Sequence, residues 1–230
     1  MAFKLNRRQT KLIVNALLFQ LLWFTAVQGN NYYAVAATTA FVVIHALAVV
    51  NQWREWVAIL TVTSLGYVLD SLLNTFGMFE FYGSGVINSG ALQIHFAPLW
   101  LLCVWIAFSS TLNHSLNWLN SWPLLASLLG ALIAPLSYYA GAALSESSIT
   151  QPVLLTLFLQ ALLWSLLMPG FLKLTQILVL ADGADMRRRN GVSSSVHSKS
   201  LTDTPKRQFR KFKFDSHTQQ PAKFSGRSFF

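Results

Sequence analysis

The sequence predicts an all-α polytopic transmembrane helix bundle of about six spans with a disordered basic C-terminal tail. Hydrophobic residues make up 53% of the 230 residues and charged residues only 11%, whereas ordinary soluble domains are about 25% charged. Apolar runs of about 20 residues, the length that crosses a bilayer, recur along the chain. The charges are also segregated, because residues 183–230 carry +8 of the net charge of +9. These observations exclude an ordinary soluble globular domain.

Six apolar runs account for the predicted spans. The first, 12–28, follows a basic leader and is long for a signal-peptide core, so we interpret it as a retained transmembrane helix. The sixth contains Pro169 and Gly170, where a kink or break is expected because proline removes a backbone donor. The four runs between them cover 32–50, 57–78, 92–112 and 122–144.

The Lys and Arg residues predict the orientation of the bundle. Four of them precede the first run and Arg54 lies in the second loop, whereas the loops at 29–31, 79–91 and 145–151 hold none. Because basic loops stay on the cytoplasmic side, both termini are expected in the cytoplasm, with the body in a bacterial inner membrane. This gives a transmembrane domain over 1–182.

The remaining segment, 183–230, forms the predicted tail. It is rich in Ser, Thr, Lys and Arg and poor in aliphatic residues, a composition typical of disorder. Residues 209–214 alternate Phe with Arg and Lys, a pattern that favours contact with anionic lipid headgroups. The same charge is also consistent with a plain soluble tail. No nucleic acid partner is expected, and the lipid bilayer is the main predicted partner.

Asp70 is the most informative residue, because it lies within the third apolar run. A carboxylate at membrane depth is costly and usually faces other protein or water. Gly66, Asp70, Asn74 and Gly77 follow one another at helical spacing and are expected on one face of the helix. Asp70 therefore predicts a ligand or proton site. The alternative is a hydrogen-bonded carboxyl that only locks helices together.

Other polar residues are expected at a similar depth in other helices. Together with Asp70 they form the predicted ligand or proton site, which consists of Asp70, Asn74, Gln20, His95, Tyr138 and Gln160. Their convergence would create an outward-facing polar cavity. Ser71 beside Asp70 would suit an intramembrane hydrolase, but no nucleophile motif accompanies it, so the sequence assigns no catalytic residue.

A second polar layer is predicted near the inner boundary. His45 falls in an apolar helix, where we interpret it as a packing residue. Cys103 is the only cysteine, so no internal disulfide can form. The chain contains no Cys/His spacing typical of a metal site, and neither a metal nor a cofactor is expected. The layer comprises Asn15, His45, Ser109, Ser110, Asn113 and His114.

Three groups of residues carry a family resemblance over about residues 10–180. The chain resembles a proteobacterial inner-membrane family that is catalogued only as a domain of unknown function. The resemblance implies a multi-pass inner-membrane protein without an assigned activity, so it transfers no catalytic residue, and the basic tail departs from it. The groups are Asn15, Phe19, Gln20 and Trp23; Pro98, Trp100, Trp105, Phe108, Thr111, Leu112, Ser115, Leu116, Trp118 and Leu119; and Gly130, Pro135 and Tyr138.

Three functions are compatible with this pattern. The leading one is an integral membrane protein that binds or passes a small molecule or lipid through a polar cavity around Asp70. The first alternative is an intramembrane lipid-modifying enzyme that uses Asp70 with His95 or Tyr138. The second is a structural partner in an envelope complex, with the tail as its contact. The sequence does not decide between an enzyme and a binding protein.

Overall fold

A computed structural model describes residues 6–202 apart from Asn30, Asn51 and Ala91. Five of the helices in this part are long and apolar enough to cross a membrane, and α4 is a shorter apolar helix. The predicted transmembrane helix bundle is thus confirmed. The helices are α1 (Arg7–Gln28), α2 (Asn31–Ile44), α3 (Arg54–Thr75), α4 (Leu99–Asn113), α5 (Pro123–Leu144) and α6 (Val153–Thr202).

Several helix ends follow from local sequence. Asn6 caps α1 through a reciprocal pair of hydrogen bonds with Gln9, of 2.8 and 3.0 Å, which satisfies two backbone N–H groups at the helix start. Pro123 occupies the first position of α5, where its missing N–H costs nothing. α2 continues as a π-helix over His45–Val49, and a 3-10 helix, Asn117–Ser121, follows α4.

The start of the fourth apolar run is a strand, which corrects the helix expected from residue 92. Strands β2 (Gly85–Ser89) and β3 (Leu92–Phe96) pair antiparallel, with Gly85 opposite Phe96. A second small sheet joins β1 (Phe79–Glu80) to β4 (Ser148–Ile149). A short apolar run fits a strand as well as a helix, so hydropathy alone did not separate them. At 1.5 Å per residue, α4 is only about 22 Å long.

Side chains one turn apart on α3 hold the extended chain that precedes α4. The Tyr67 hydroxyl donates to the Ala97 carbonyl (2.7 Å), and the Ala97 N–H donates to Ser71 Oγ (3.0 Å). One turn further on, the His95 N–H donates to Thr75 Oγ1 (3.0 Å). Extended backbone at membrane depth needs such partners. Since Ser71 also donates to the Tyr67 carbonyl, its hydroxyl serves this packing, and the hydrolase interpretation gains no support.

Replacing Thr75 by valine should loosen this attachment. The change removes the oxygen that accepts from the His95 N–H, so we expect a loss of about 1–2 kcal/mol in unfolding free energy. Thr61→Val is the matched control on the same helix, because the Thr61 hydroxyl donates to the Val57 carbonyl of α3 itself. Hydrogen exchange at the His95 amide should accelerate in Thr75→Val alone. Equal exchange in both variants would contradict the role given to Thr75.

The polar face predicted on α3 is present in part. Gly66, Asp70 and Asn74 are all buried on this helix. Gly77 lies beyond its end, in a left-handed conformation (φ 68°) that glycine adopts readily, so its expected place on the helical face was wrong. At Gly66 the α3 backbone lies against the indole of Trp105, since an added Cβ would be 2.2 Å from the ring.

The last two helices show a similar close approach. A Cβ at Gly130 of α5 would lie 2.5 Å from the Trp164 carbonyl of α6, so this glycine allows the two backbones to meet. α6 passes through Pro169 as one helix and is assigned over Val153–Thr202. The domain boundary expected at 182 stays a prediction. Residues 203–230 lie outside the described part of the chain, so the disordered basic tail stays a prediction.

Candidate functional site

Asp70 is fully buried and joins three helices. Its Oδ1 accepts a hydrogen bond from the Tyr138 hydroxyl of α5 at 2.5 Å. Its Oδ2 accepts one from the Trp105 indole N–H of α4 at 2.6 Å. Both oxygens therefore have a donor, which offsets the cost of removing the carboxyl from water. The Tyr138 bond is one that the sequence hypothesis anticipated, whereas the Trp105 bond is one that it missed.

Aromatic rings surround this hydrogen-bonded group. Trp105 stacks on Trp164 of α6, with ring centroids 5.7 Å apart and planes 10° apart. Phe108 meets both indoles edge-on, at 5.5 and 5.6 Å. Tyr138 contacts Phe79 and Phe81 on the other side. Such pairs add to the gain from apolar burial, so the Asp70 partners are held in fixed positions.

A cavity of about 460 Å³ lies in front of these rings, between α1, α4, α5 and α6. Its lining is mainly apolar, and Asp70 is not part of it. The expected polar cavity around Asp70 was therefore wrong, because the Trp105 and Tyr138 rings separate the carboxyl from the space. The aromatic side chains of the lining include Phe19, Trp23, Trp100, Trp105, Phe108 and Trp164.

The cavity adjoins the outer surface between α1 and α5. A recess of about 210 Å³ lies there and shares Phe19, Gln20 and Ser137 with the main cavity. α1 packs mainly against α2 and α4 and touches α5 at few positions. Side chains of the recess such as Ile133 and Leu136 are apolar and exposed. This surface of the bundle thus suits contact with lipid.

The small residues of α5 also belong to this cavity. Gly130, Ala134, Ser137 and Gly141 all line the space. Gly130 alone also meets another backbone, whereas nothing lies within 4 Å of a Cβ at Gly141. Short side chains along α5 therefore leave room for a ligand as well as for α6.

The remaining predicted site residues lie in different surroundings. Gln160 is fully buried near Tyr138, and its amide makes no hydrogen bond within the described chain. Asn74 donates to Ser84 Oγ at 2.8 Å, and His95 lies in β3. Gln20 is at the recess rather than beside Asp70. The structure thus joins Asp70 to Tyr138, with Gln160 near Tyr138 and Asn74 one turn along α3, and places His95 and Gln20 elsewhere.

The second polar layer is connected by hydrogen bonds between helices. Asn15 of α1 donates to Ser110 Oγ at 3.1 Å and accepts from the Ser115 hydroxyl at 2.9 Å. The hydroxyls of Thr63 and Ser109 are 3.1 Å apart, which joins α3 to α4. Polar side chains buried between transmembrane helices gain from such pairing. These hydrogen bonds join α4 and the residues after it to α1 and α3, at the end of the bundle away from Asp70.

These features define a polytopic membrane protein with an aromatic cavity between its helices. The chain belongs to a family described as "Protein of unknown function (DUF2878)", which matches residues 12–170. No curated protein and no solved structure matches the chain. The expected resemblance to a family of unknown function is thereby confirmed, and the family supplies no activity or catalytic residue.

Proposed function

We propose that the protein binds an apolar small molecule or a lipid chain in the aromatic cavity. The observation that carries this proposal is a partly enclosed space of about 460 Å³ with a mainly apolar lining. Ligand sites have volumes of about 300–1,000 Å³ and combine apolar walls with few polar groups. A space of this kind accommodates an acyl chain or a ring system better than a charged solute.

Tyr138 supplies the polar contact for such a ligand. Its ring forms part of the cavity wall, and its hydroxyl proton is directed to Asp70. The phenolic oxygen is therefore left as an acceptor, which favours a ligand whose polar end carries a hydrogen-bond donor. Asp70 acts as a positioning residue in this scheme, because it orients Tyr138 and Trp105 without lining the cavity.

The recess between α1 and α5 is the proposed entry route. It connects the cavity to a surface of exposed apolar side chains that suits lipid. A ligand dissolved in the bilayer could enter here without crossing a charged surface. Gln20 and Ser137 would then meet its polar end on the way.

We place the protein in a bacterial inner membrane with both termini in the cytoplasm. Five helices are candidate spans, and in this proposal the short α4 is a sixth crossing, so that the chain returns to its starting side. The basic residues at both ends of the chain and the loops without Lys or Arg support the cytoplasmic assignment.

Filling the cavity should abolish ligand capture. In Ala134→Trp a large ring replaces a methyl group on the cavity wall. We expect labelling by a photoreactive, diazirine-bearing fatty acid in nanodiscs to fall at least about tenfold, or about 1.4 kcal/mol in binding free energy. Leu128→Trp on the exposed side of α5 is the matched control and should label like the wild type.

Peptide mapping of the labelled sites completes this test. The proposal requires the label on residues of α1, α4, α5 or α6 that face the cavity. Equal labelling of wild type and Ala134→Trp, or label found only on the outer surface, would refute it.

A further inference from the structure

Three buried side chains that the proposed function does not use meet at the other end of the bundle. His45 begins the π-helix after α2, Glu55 lies in the first turn of α3, and His114 follows α4. Glu55 is 15 residues before Asp70, which corresponds to about 22 Å along α3. The cluster is thus a separate site from the aromatic cavity.

We infer that His45, Glu55 and His114 bind a divalent transition-metal ion, with Zn²⁺ as the best match. Two imidazoles and one carboxylate are the ligand set of many three-ligand zinc sites, in which a fourth position stays open. Ions that are bound mainly by oxygen ligands, such as Mg²⁺, match this ligand set poorly, because they prefer carboxylates and water. This inference revises the expectation from the sequence that the protein has no metal site.

The distances fit one ion. The ligand atoms of the three residues all lie within 4.8 Å of one another. His45 Nε2 is 3.5 Å from Glu55 Oε1, and His114 Nε2 contacts the same oxygen. Metal–ligand bonds of about 2.0–2.2 Å in a tetrahedron place neighbouring ligand atoms about 3.4 Å apart. Small side-chain adjustments would therefore place all three around a common centre.

The burial and missing hydrogen bonds of the His45 ring support its role as a metal-ligating residue. Its ring is 0% exposed, and neither ring nitrogen makes a hydrogen bond within the described residues. Leaving a buried polar atom without a hydrogen bond costs about 1–3 kcal/mol. Nε2 is directed toward Glu55 but not aligned to bond it. A metal ion between the two groups would satisfy the nitrogen.

The backbone and the surroundings support the same conclusion. The π-helix that starts at His45 is a rare conformation that occurs mostly as single turns within α-helices and is frequent at functional sites. Phe41 stacks on the His45 ring at 5.5 Å, and Trp56 meets it edge-on at 5.6 Å. Glu55 and His114 are only 1% and 9% exposed. An ion held here would be shielded from competing water.

The competing explanation is a hydrogen-bonded Glu–His pair that joins the helices without a metal. It accounts for His114, which contacts Glu55 directly, but it leaves His45 Nε2 with only a 3.5 Å approach to Glu55 Oε1 and neither ring nitrogen with a hydrogen bond in the described residues. The two explanations differ in whether the purified protein retains Zn²⁺.

Zinc content and affinity of the full chain, without an affinity tag, provide the test. His197→Ala and His217→Ala are introduced first, so that tail histidines contribute nothing. In this background we expect about one Zn²⁺ per chain after desalting, a single ion shared by the three ligands. His45→Ala should weaken Zn²⁺ binding more than a hundredfold, since even outer-shell partners are worth about 10–100-fold. His95→Ala is the matched control and should bind Zn²⁺ like its parent.

Two further measurements keep the test decisive if His45→Ala does not fold. Glu55→Gln keeps the side-chain shape and should still lose Zn²⁺. Co²⁺ added to the metal-free parent should produce the visible absorption bands of a four-coordinate ion. A parent that retains no Zn²⁺ and shows no such bands would overturn the inference, as would full Zn²⁺ binding by either ligand variant.

Discussion

Replacing Gly66 by alanine should destabilise the protein by about 2–3 kcal/mol. The added Cβ would lie 2.2 Å from the Trp105 indole, and overpacking of this kind costs about 1–3 kcal/mol or more. The ring cannot move away freely, because it is stacked on Trp164 and bonded to Asp70. This cost outweighs the gain of up to about 1 kcal/mol that alanine brings to a helix. Thermal unfolding in detergent measures the difference.

Gly170→Ala is the matched control for this experiment. Gly170 also lies within a helix, and nothing is within 4 Å of its added Cβ. Only the helix-propensity gain applies there, so the melting temperature should stay equal or rise. A Gly66→Ala protein as stable as Gly170→Ala would show that Trp105 does not pack on α3 as described.

Asp70→Leu should cost about 2–5 kcal/mol of unfolding free energy. It leaves the Tyr138 hydroxyl and the Trp105 N–H without an acceptor in a buried place, at about 1–3 kcal/mol each. Asp70→Asn should be milder, because the amide oxygen still accepts one bond. Glu80→Leu is the control, since Glu80 is an exposed acid whose replacement should stay within about 0.5 kcal/mol.

A double replacement distinguishes the loss of a hydrogen-bond acceptor at Asp70 from a general effect of changed side-chain volume. Tyr138→Phe removes one of the two unsatisfied donors, so Asp70→Leu combined with Tyr138→Phe should be less destabilised than the sum of the single changes. The exposed neighbour Tyr139 offers the control, because Tyr139→Phe should add independently to Asp70→Leu. Strict additivity for both tyrosines would mean that the carboxyl does not hold Tyr138.

Helical periodicity was sufficient to predict the buried face of α3. Gly66, Asp70 and Asn74 are four residues apart, and that spacing alone places them on one side of a helix. The cost of a carboxylate within an apolar run correctly indicated that Asp70 faces protein. Its partner Tyr138 could be anticipated from its depth on another helix. The Trp105 partner was not predicted, because an indole N–H donor in an apolar helix is indistinguishable in the sequence from an ordinary packing tryptophan.

Other features depend on contacts that no local pattern encodes. Residues 92–96 are apolar enough for a helix, and their pairing with β2 together with the hydrogen bond to Thr75 of α3 makes them a strand. The apolar nature of the cavity depends on which faces of α1 and α5 meet. His45, Glu55 and His114 come from three separate elements. His45 is 10 residues before Glu55 and His114 is 59 residues after it, so no short sequence motif identifies the cluster.

The extended chain ahead of α4 constrains the order in which the protein is inserted into the membrane. Its N–H and carbonyl groups at His95 and Ala97 are satisfied by side chains of α3, and lipid offers no substitute. A nascent chain emerges N-terminus first, so α3 is already available when residues 92–98 leave the translocon. We therefore expect the segment before α4 to reach its final position only when it packs against α3, so that a chain with an incomplete α3 would leave it without these partners.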